Sequence, residues 1–150
     1  MNGQKGREAE GQRSPGPSFR SQIMWRKAQD LAESVTLVIN SLPQNRAANV
    51  IATQLMRSAS SIAANIAEGY GRYSQAAYRN HLSIARGSAL ETESWVDLLL
   101  RSKYITNEQA TMLFKQCDEI ERLLTSRMKT LDQGKTYAIK EEADFRYGVE

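Results

Sequence analysis

The chain has 150 residues, 41% of them apolar and 25% charged, with a net charge of +3. That is the size and balance of one globular domain, not of a chain disordered throughout. Its longest stretch without a charge, Ser34 to Asn45, is twelve residues long with a proline inside, which excludes a membrane span of about 20 apolar residues.

Residues 1–21 hold four of the nine glycines and two of the three prolines, with no apolar period. They predict a disordered N-terminal tail. From Trp25 onward, Ala28, Ala32, Val35, Ile39 and Leu42 follow at steps of three and four, the pattern of one helix face. Pro43 ends this first helix, because the residue before a proline is pushed out of the helical conformation. Asn45 is placed to cap the second helix.

The second helix is predicted over Arg46 to Ala67, with Ala48, Ala52, Leu55, Ala59, Ile62 and Ile66 as its seam. Ten of those 22 residues are Ala or Ser, and only Arg46 and Arg57 are charged. A helix with one wet face should carry more charge, so burial on several sides is expected, within the bundle and against another subunit. Gly69 suits a left-handed position closing this helix, and Ser74 suits the cap of the next.

The third helix has the most regular period: Tyr78, Leu82, Ala85, Ala89, Thr92, Val96 and Leu99, a bundle seam. From Ser74 to about Lys103 it would span roughly 45 Å. Thr106 and Gln109 resemble a capping box. The fourth helix then carries Leu113, Cys117, Ile120, Leu124, Met128 and Leu131, with Gly134 expected to end it. No strand pattern occurs. The expected fold is all-α, an up-down-up-down antiparallel four-helix bundle over residues 22–132, with flexible tails at 1–21 and 133–150.

Little in the chain suits catalysis or a cofactor. Cys117 sits on an apolar seam and the single histidine, His81, lacks a ligand at metal spacing. No phosphate loop or dinucleotide glycine pattern occurs. We therefore expect no enzyme, no metal, no cofactor and no small-molecule substrate. One cysteine excludes an internal disulfide and fits a reducing compartment; no basic-then-apolar leader opens the chain. A cytoplasmic protein is expected, with no membrane partner.

The charge is unevenly spread. Residues 46–90 carry five arginines against Glu68 alone, while 91–150 carry nine basic and twelve acidic groups. Arg72, Arg79 and Arg86 are seven apart, a spacing that would stack them on one flank of the third helix. Three guanidinium groups in a row can grip successive phosphates, or pair with acids of the fourth helix such as Asp118, Glu119 and Glu121. Arg57 joins them as a nucleic-acid candidate. Tyr70, Tyr73 and Tyr78 lie close to the row and offer stacking surfaces. Asn65, Glu68, Gly69, Gly71 and Ser74 make a corner between two helices. Glu68 beside a helix C-terminus is unfavourably placed and calls for a partner, with Arg72 or the amides opening the third helix nearest; the corner is read as structural, a ligand site being the alternative.

The run Gln54 to Ser74, containing Asn65-Ile66-Ala67-Glu68-Gly69-Tyr70-Gly71-Arg72-Tyr73-Ser74, resembles the signature of the four-helix-bundle proteins encoded by intervening sequences in bacterial 23S ribosomal RNA genes. Ile84 to Glu93 resembles that family's second motif, and Trp25-Arg26-Lys27-Ala28 its opening. The resemblance spans roughly residues 24–131. It implies a small homo-oligomer, typically a pentamer, without known catalysis and with presumed nucleic-acid binding. A related branch comprises accessory variability proteins of diversity-generating retroelements, which work with a reverse transcriptase and its template RNA. Two functions are thus expected to compete: a basic oligomeric protein binding RNA or DNA, and a protein–protein adaptor, for example one docking a reverse transcriptase.

Overall fold

The structure, a computed structural model, describes residues 19–147, with side chains described as far as residue 134. Of the tail expected at residues 1–21, residues 1–18 lie outside the described residues and 19–21 form a turn; of the tail expected at 133–150, residues as far as 147 continue the last helix, and the side chains of 135–150 lie outside the described residues. A 3-10 turn, Phe19–Ser21, leads into α1 (Ile23–Ser41), α2 (Arg46–Tyr70), α3 (Gln75–Arg101) and α4 (Asn107–Tyr147). Consecutive helices pack side by side and α1 closes on α4, so the chain forms the expected four-helix bundle, and no strand occurs among the described residues.

Each cap follows from local chemistry. The Asn45 side chain accepts from the Ala48 N–H at 2.9 Å and opens α2. Ser74 does the same for Ala77 at 3.1 Å and opens α3. Ahead of α4, Thr106 Oγ1 accepts from the Gln109 N–H while the Gln109 side chain accepts from the Thr106 N–H, a reciprocal capping box. Lys103, in the preceding turn, has φ 61, the left-handed conformation that reverses the chain after α3.

The core is a single apolar cluster. In α3 and α4 the seams are those the spacing predicts: Leu82, Ala85, Ala89, Val96 and Leu99 meet Leu113, Cys117, Ile120 and Leu124, all fully buried. In α1 the buried line is Met24, Ala28, Leu31, Val35 and Val38, rotated from the predicted one. Trp25, Ile39 and Leu42 lie at the edge of the core, half-buried, because α1 is wedged between α2 and α4 and its apolar face is wide. Trp25 packs edge-on against Phe19, ring centroids 5.2 Å apart.

Two glycines behave differently from expectation. Gly69 does not close α2 in a left-handed turn; no glycine among the described residues has a positive φ. It is buried inside α2, where a Cβ would lie 2.7 Å from His81 Cβ and 3.1 Å from the Tyr78 ring. Its role is to let α2 and α3 approach. The helix continues past it to Tyr70, and Gly71 caps it with right-handed geometry (φ −79°, ψ −5°). Gly134 does not end α4, which runs through it to Tyr147; an added Cβ there meets nothing.

These two positions should respond oppositely to the same substitution. Gly69→Ala overpacks the helix contact and should lower unfolding stability by about 1–3 kcal/mol. Gly134→Ala should leave stability unchanged or raise it by up to about 1 kcal/mol through helix propensity. Urea unfolding followed by circular dichroism measures both.

Candidate nucleic-acid interface

The corner between α2 and α3 is built around His81, which α3 presents toward α2. Arg72 Nε donates to His81 Nε2 at 3.2 Å, so the neutral ring carries its proton on Nδ1, facing Asn65 Oδ1 at 3.2 Å. The Asn65 amide in turn donates to the Ser61 carbonyl and Ser61 Oγ, at 2.8 and 3.0 Å. Arg72 also binds Glu68 Oε1 at 2.6 Å, and Glu68 Oε2 lies 4.0 Å from His81 Nδ1. The carboxylate in the last turn of α2 therefore has its compensating cation four residues on.

This corner is the outer end of a longer polar line. Ser61 Oγ is 3.1 Å from Ser88 Oγ. The Ser88 carbonyl accepts from Thr92 Oγ1 at 2.8 Å, and Thr92 Oγ1 is 2.9 Å from Ser58 Oγ. Ser58 and Thr92 are buried. Hydroxyls in an apolar core need partners, and here the two helices supply them to each other. The line runs Ser58, Ser61, Asn65, Glu68 on α2, at helical steps of three and four. Sequence reasoning took these small polar residues for a lack of charge and missed that they share a face.

The arginine row is not one row. Arg72 precedes the Ser74 cap, so the helical register cannot be extended back from Arg79 to Arg72. Arg72 folds toward α2, whereas Arg79 and Arg86 face α4. There Arg79 grips both oxygens of Asp132 at 2.6 and 2.9 Å. That hydrogen bond, then the charge of Asp132, raises the arginine's pKa above its usual value. Arg86 donates to Thr125 Oγ1 at 3.2 Å and has no carboxylate within salt-bridge distance among the described residues. Arg57 sits apart, on α2, bound to Gln54 of its own helix and to Glu91 Oε1 of α3 at 3.2 Å. The acids absent from residues 69–90 arrive from across the bundle, and Asp132, the strongest partner, was not among the acids the spacing suggested.

What the row loses, the bundle end gains. Tyr73 is fully exposed in the α2–α3 turn and Tyr70 partly so. Arg127 of α4 stands over the Tyr78 ring at 5.8 Å; exposed Lys129, half a turn on, lies on the opposite flank of α4, in the groove it lines with Arg86 and Glu121. These two cations escaped a reading that treated α4 as a source of acids.

Between α3 and α4 the electrostatics are adverse. Burial, with Glu121 and Asp118 nearby, pushes the Glu93 pKa up. Burial also raises Glu121, Arg86 opposing and Asp118 adding to the shift. Glu121 Oε1 is enclosed without a hydrogen-bond partner among the described residues. The adjacent Cys117 thiol is pushed up to about 12, first by burial and then by Glu93 and Glu121; such a thiol is inert at neutral pH. His81 faces α2 and is not its partner. No group of three or more potential metal ligands occurs among the described residues, and no described helix is long and apolar enough to cross a membrane.

Residues 20–126 match the model of a family described as 23S rRNA-intervening sequence protein. The chain is also similar to a crystal structure of a protein with unknown function from the S23 ribosomal protein family of Bacteroides thetaiotaomicron. The two are 36% identical, with a TM-score of 0.67, and the match covers 71% of this chain and 99% of that one. No curated protein matches. The chain belongs to the 23S rRNA-intervening sequence protein family.

The Glu93–Glu121 pair fixes a sign. Both carboxyls have raised pKa values in the fold, so their ionised forms cost stability above those values, and the cost is relieved as pH falls through them toward the ordinary carboxylate range. Glu93→Gln removes one charge and should stabilise the protein by about 0.5 kcal/mol near pH 7.5. The gain should vanish near pH 4, where the glutamate is itself neutral. Thermal unfolding of both proteins across that range reads the difference.

Proposed function

We propose that this family member is a non-enzymatic, homo-oligomeric protein that binds structured RNA with the end of the bundle where α2 turns into α3. The observation that carries the reading is the fully exposed Tyr73 beside Arg72, with Arg79 of α3 and, over the Tyr78 ring, Arg127 of α4 toward the same end. An aromatic ring free on both faces stacks on an unpaired base, and the cations around it take phosphates. Arg72 and Arg79 are each held by one carboxylate. A guanidinium has five N–H donors, so both keep donors for an acceptor from outside while their positions are fixed.

Other features support the same reading. The basic zone of the sequence ends on this turn and on the first half of α3. Outward positions of α2, Val50, Thr53, Ser60 and Ala64, are exposed and uncharged, which suits a subunit contact. Several copies would repeat a modest site and raise its avidity. The family description, with its ribosomal RNA gene context, agrees with an RNA ligand. A cytoplasmic location fits the lone buried thiol.

The test is binding of a structured RNA, and of DNA of the same sequence, at several salt concentrations. Arg86→Gln loses a hydrogen bond to Thr125 and the charge that offsets Glu121 within the subunit, but no ion pair, so it probes phosphate contact once its unfolding stability has been checked. Together with Arg79→Gln it should weaken both ligands and lower the slope of log affinity against log salt by about 0.7–0.9 per lost contact. Tyr73→Ala should weaken RNA with little change in slope. Light scattering should give several times 16.9 kDa, about 85 kDa for five copies. Intact assembly with unchanged affinity and slope would favour the adaptor reading, in which a protein such as a reverse transcriptase is the partner.

A further inference from the structure

At the same end of the bundle as the α2–α3 turn, the start of α1 and the last described turns of α4 leave a cleft of about 340 Å³ between them. Small-ligand sites begin at about that size. Its apolar side is Met24, buried, Leu123, half-buried, and Ile23, 51% exposed; its polar side includes Gln22, Ser126 and Arg127. Gln22 holds the N-cap position of α1 without capping it. Its Nε2 donates to the Tyr78 hydroxyl at 3.5 Å, the outer limit of a hydrogen bond, and its Oε1 is enclosed without a partner among the described residues. Reversing the amide exchanges the two atoms and still strands one of them. An enclosed carbonyl without a donor is costly, and one long bond does not hold it there. Turned toward the cleft, the carboxamide frees its acceptor and sets it beside its donor. Arg127 lays its guanidinium over the Tyr78 ring and makes no ion pair among the described residues. The exposed Ser126 side chain makes no hydrogen bond among them; only its carbonyl is used, by Thr130.

We infer that this cleft takes one adenine nucleotide, presented unpaired by the bound RNA. The chemistry of its walls selects that occupant. A carboxamide makes a two-point contact with an edge that sets a donor beside an acceptor. The N6–H and N7 edge of adenine does so, whereas the O6 and N7 edge of guanine offers two acceptors. Ile23, Met24 and Leu123 supply the apolar contact for the ring, and a methionine sulfur sits favourably at an aromatic edge. Arg127 takes the phosphate, and Ser126 offers the ribose a hydroxyl. Tyr78, in the first turn of α3, touches both Gln22 and Arg127, so the cleft adjoins the end that carries Tyr73. Unpaired bases are what RNA-binding proteins read by hydrogen bonding. The inference rests on RNA binding at this end. It adds a base preference, which stacking on Tyr73 and phosphate contacts do not supply.

The full chain is titrated with two hairpin RNAs that differ in one unpaired loop base, adenine or guanine, and with adenosine and guanosine monophosphates. The wild type should bind the adenine hairpin at least about fivefold more tightly. Gln22→Ala removes no cap and no charge. It should keep the circular dichroism signal and the salt slope, and bring the preference below about twofold. Gln22→Glu, of the same size and suited to a helix N-terminus, should also erase the preference, because it trades the donor that N7 needs for an acceptor. Tyr73→Ala should weaken both hairpins and keep the preference. Equal wild-type affinity for the two hairpins, or a preference that survives both Gln22 variants, would overturn the cleft and leave RNA binding in place. A wild type that binds neither hairpin would overturn the proposed function, and the monophosphates would then decide the cleft alone. Adenosine monophosphate binding that Gln22→Ala abolishes would uphold it with the free nucleotide as the source; no such binding would overturn it too.

Discussion

The close approach of α2 to α3 is the constraint on which the other features depend. It requires a residue without a side chain at position 69, because a methyl group there would stand 2.7 Å from His81 Cβ. It also requires polar partners, because two backbones that close bring Ser58, Ser61, Ser88 and Thr92 into a space that excludes water. The hydroxyls answer each other across the contact, and the line ends at Asn65 and His81. Arg72 is held by His81 and Glu68, and so the position of the exposed turn follows from packing further inside. A buried hydroxyl left without a partner costs about 1–3 kcal/mol, so the line is stable as a set and weak in pieces.

Orientation follows from the same contact. With α3 locked to α2, its other flank faces α4 and carries Arg79, Arg86 and Glu93, while a third row faces outward with Gly87 and Ser94. One helix thus presents three chemistries. The α4 flank is a mixed-charge surface in which Asp132 steadies Arg79 and in which Glu93 and Glu121 repel each other. The outward row is mostly apolar, with Glu91 as its one charge. The basic and aromatic groups gather at the end of the bundle, on the turn and on the neighbouring part of α4. A molecule that bound RNA along the whole of α3 would have to pass over the repelling Glu93–Glu121 pair; one that binds it at the turn meets Glu68 and Asp132, each already paired with an arginine.

Most of the fold was legible because it is written in local signals. The α3 and α4 seams have strict three-four spacing, and the caps at Asn45, Ser74 and Thr106 depend only on the next three residues. Where local signals are ambiguous the sequence reading departs from the structure. Gly69 serves equally well as a helix terminator and as a point of close approach, and only the neighbour at His81 distinguishes them. Arg72 fell into the row because a seven-residue spacing was carried through a helix cap. The face of α1 shifted by a residue because two neighbours, not one, bury it. Asp132 could not be paired with Arg79 from 53 positions away, since the register between α3 and α4 is a property of the packed bundle. The polar line on α2 did leave a trace, polar residues at 58, 61, 65 and 68, and that spacing carries as much information as an apolar seam.

If the α2–α3 contact organises the molecule, it should also be the last part to open. Native-state hydrogen exchange, resolved by residue, addresses this directly. The account predicts that the slowest amides lie at residues 58–66 of α2 and 82–92 of α3 and exchange only through global unfolding, with α1 and α4 opening at lower free energy. Slowest exchange in α1 and α4, with α2 or α3 opening first, would contradict it.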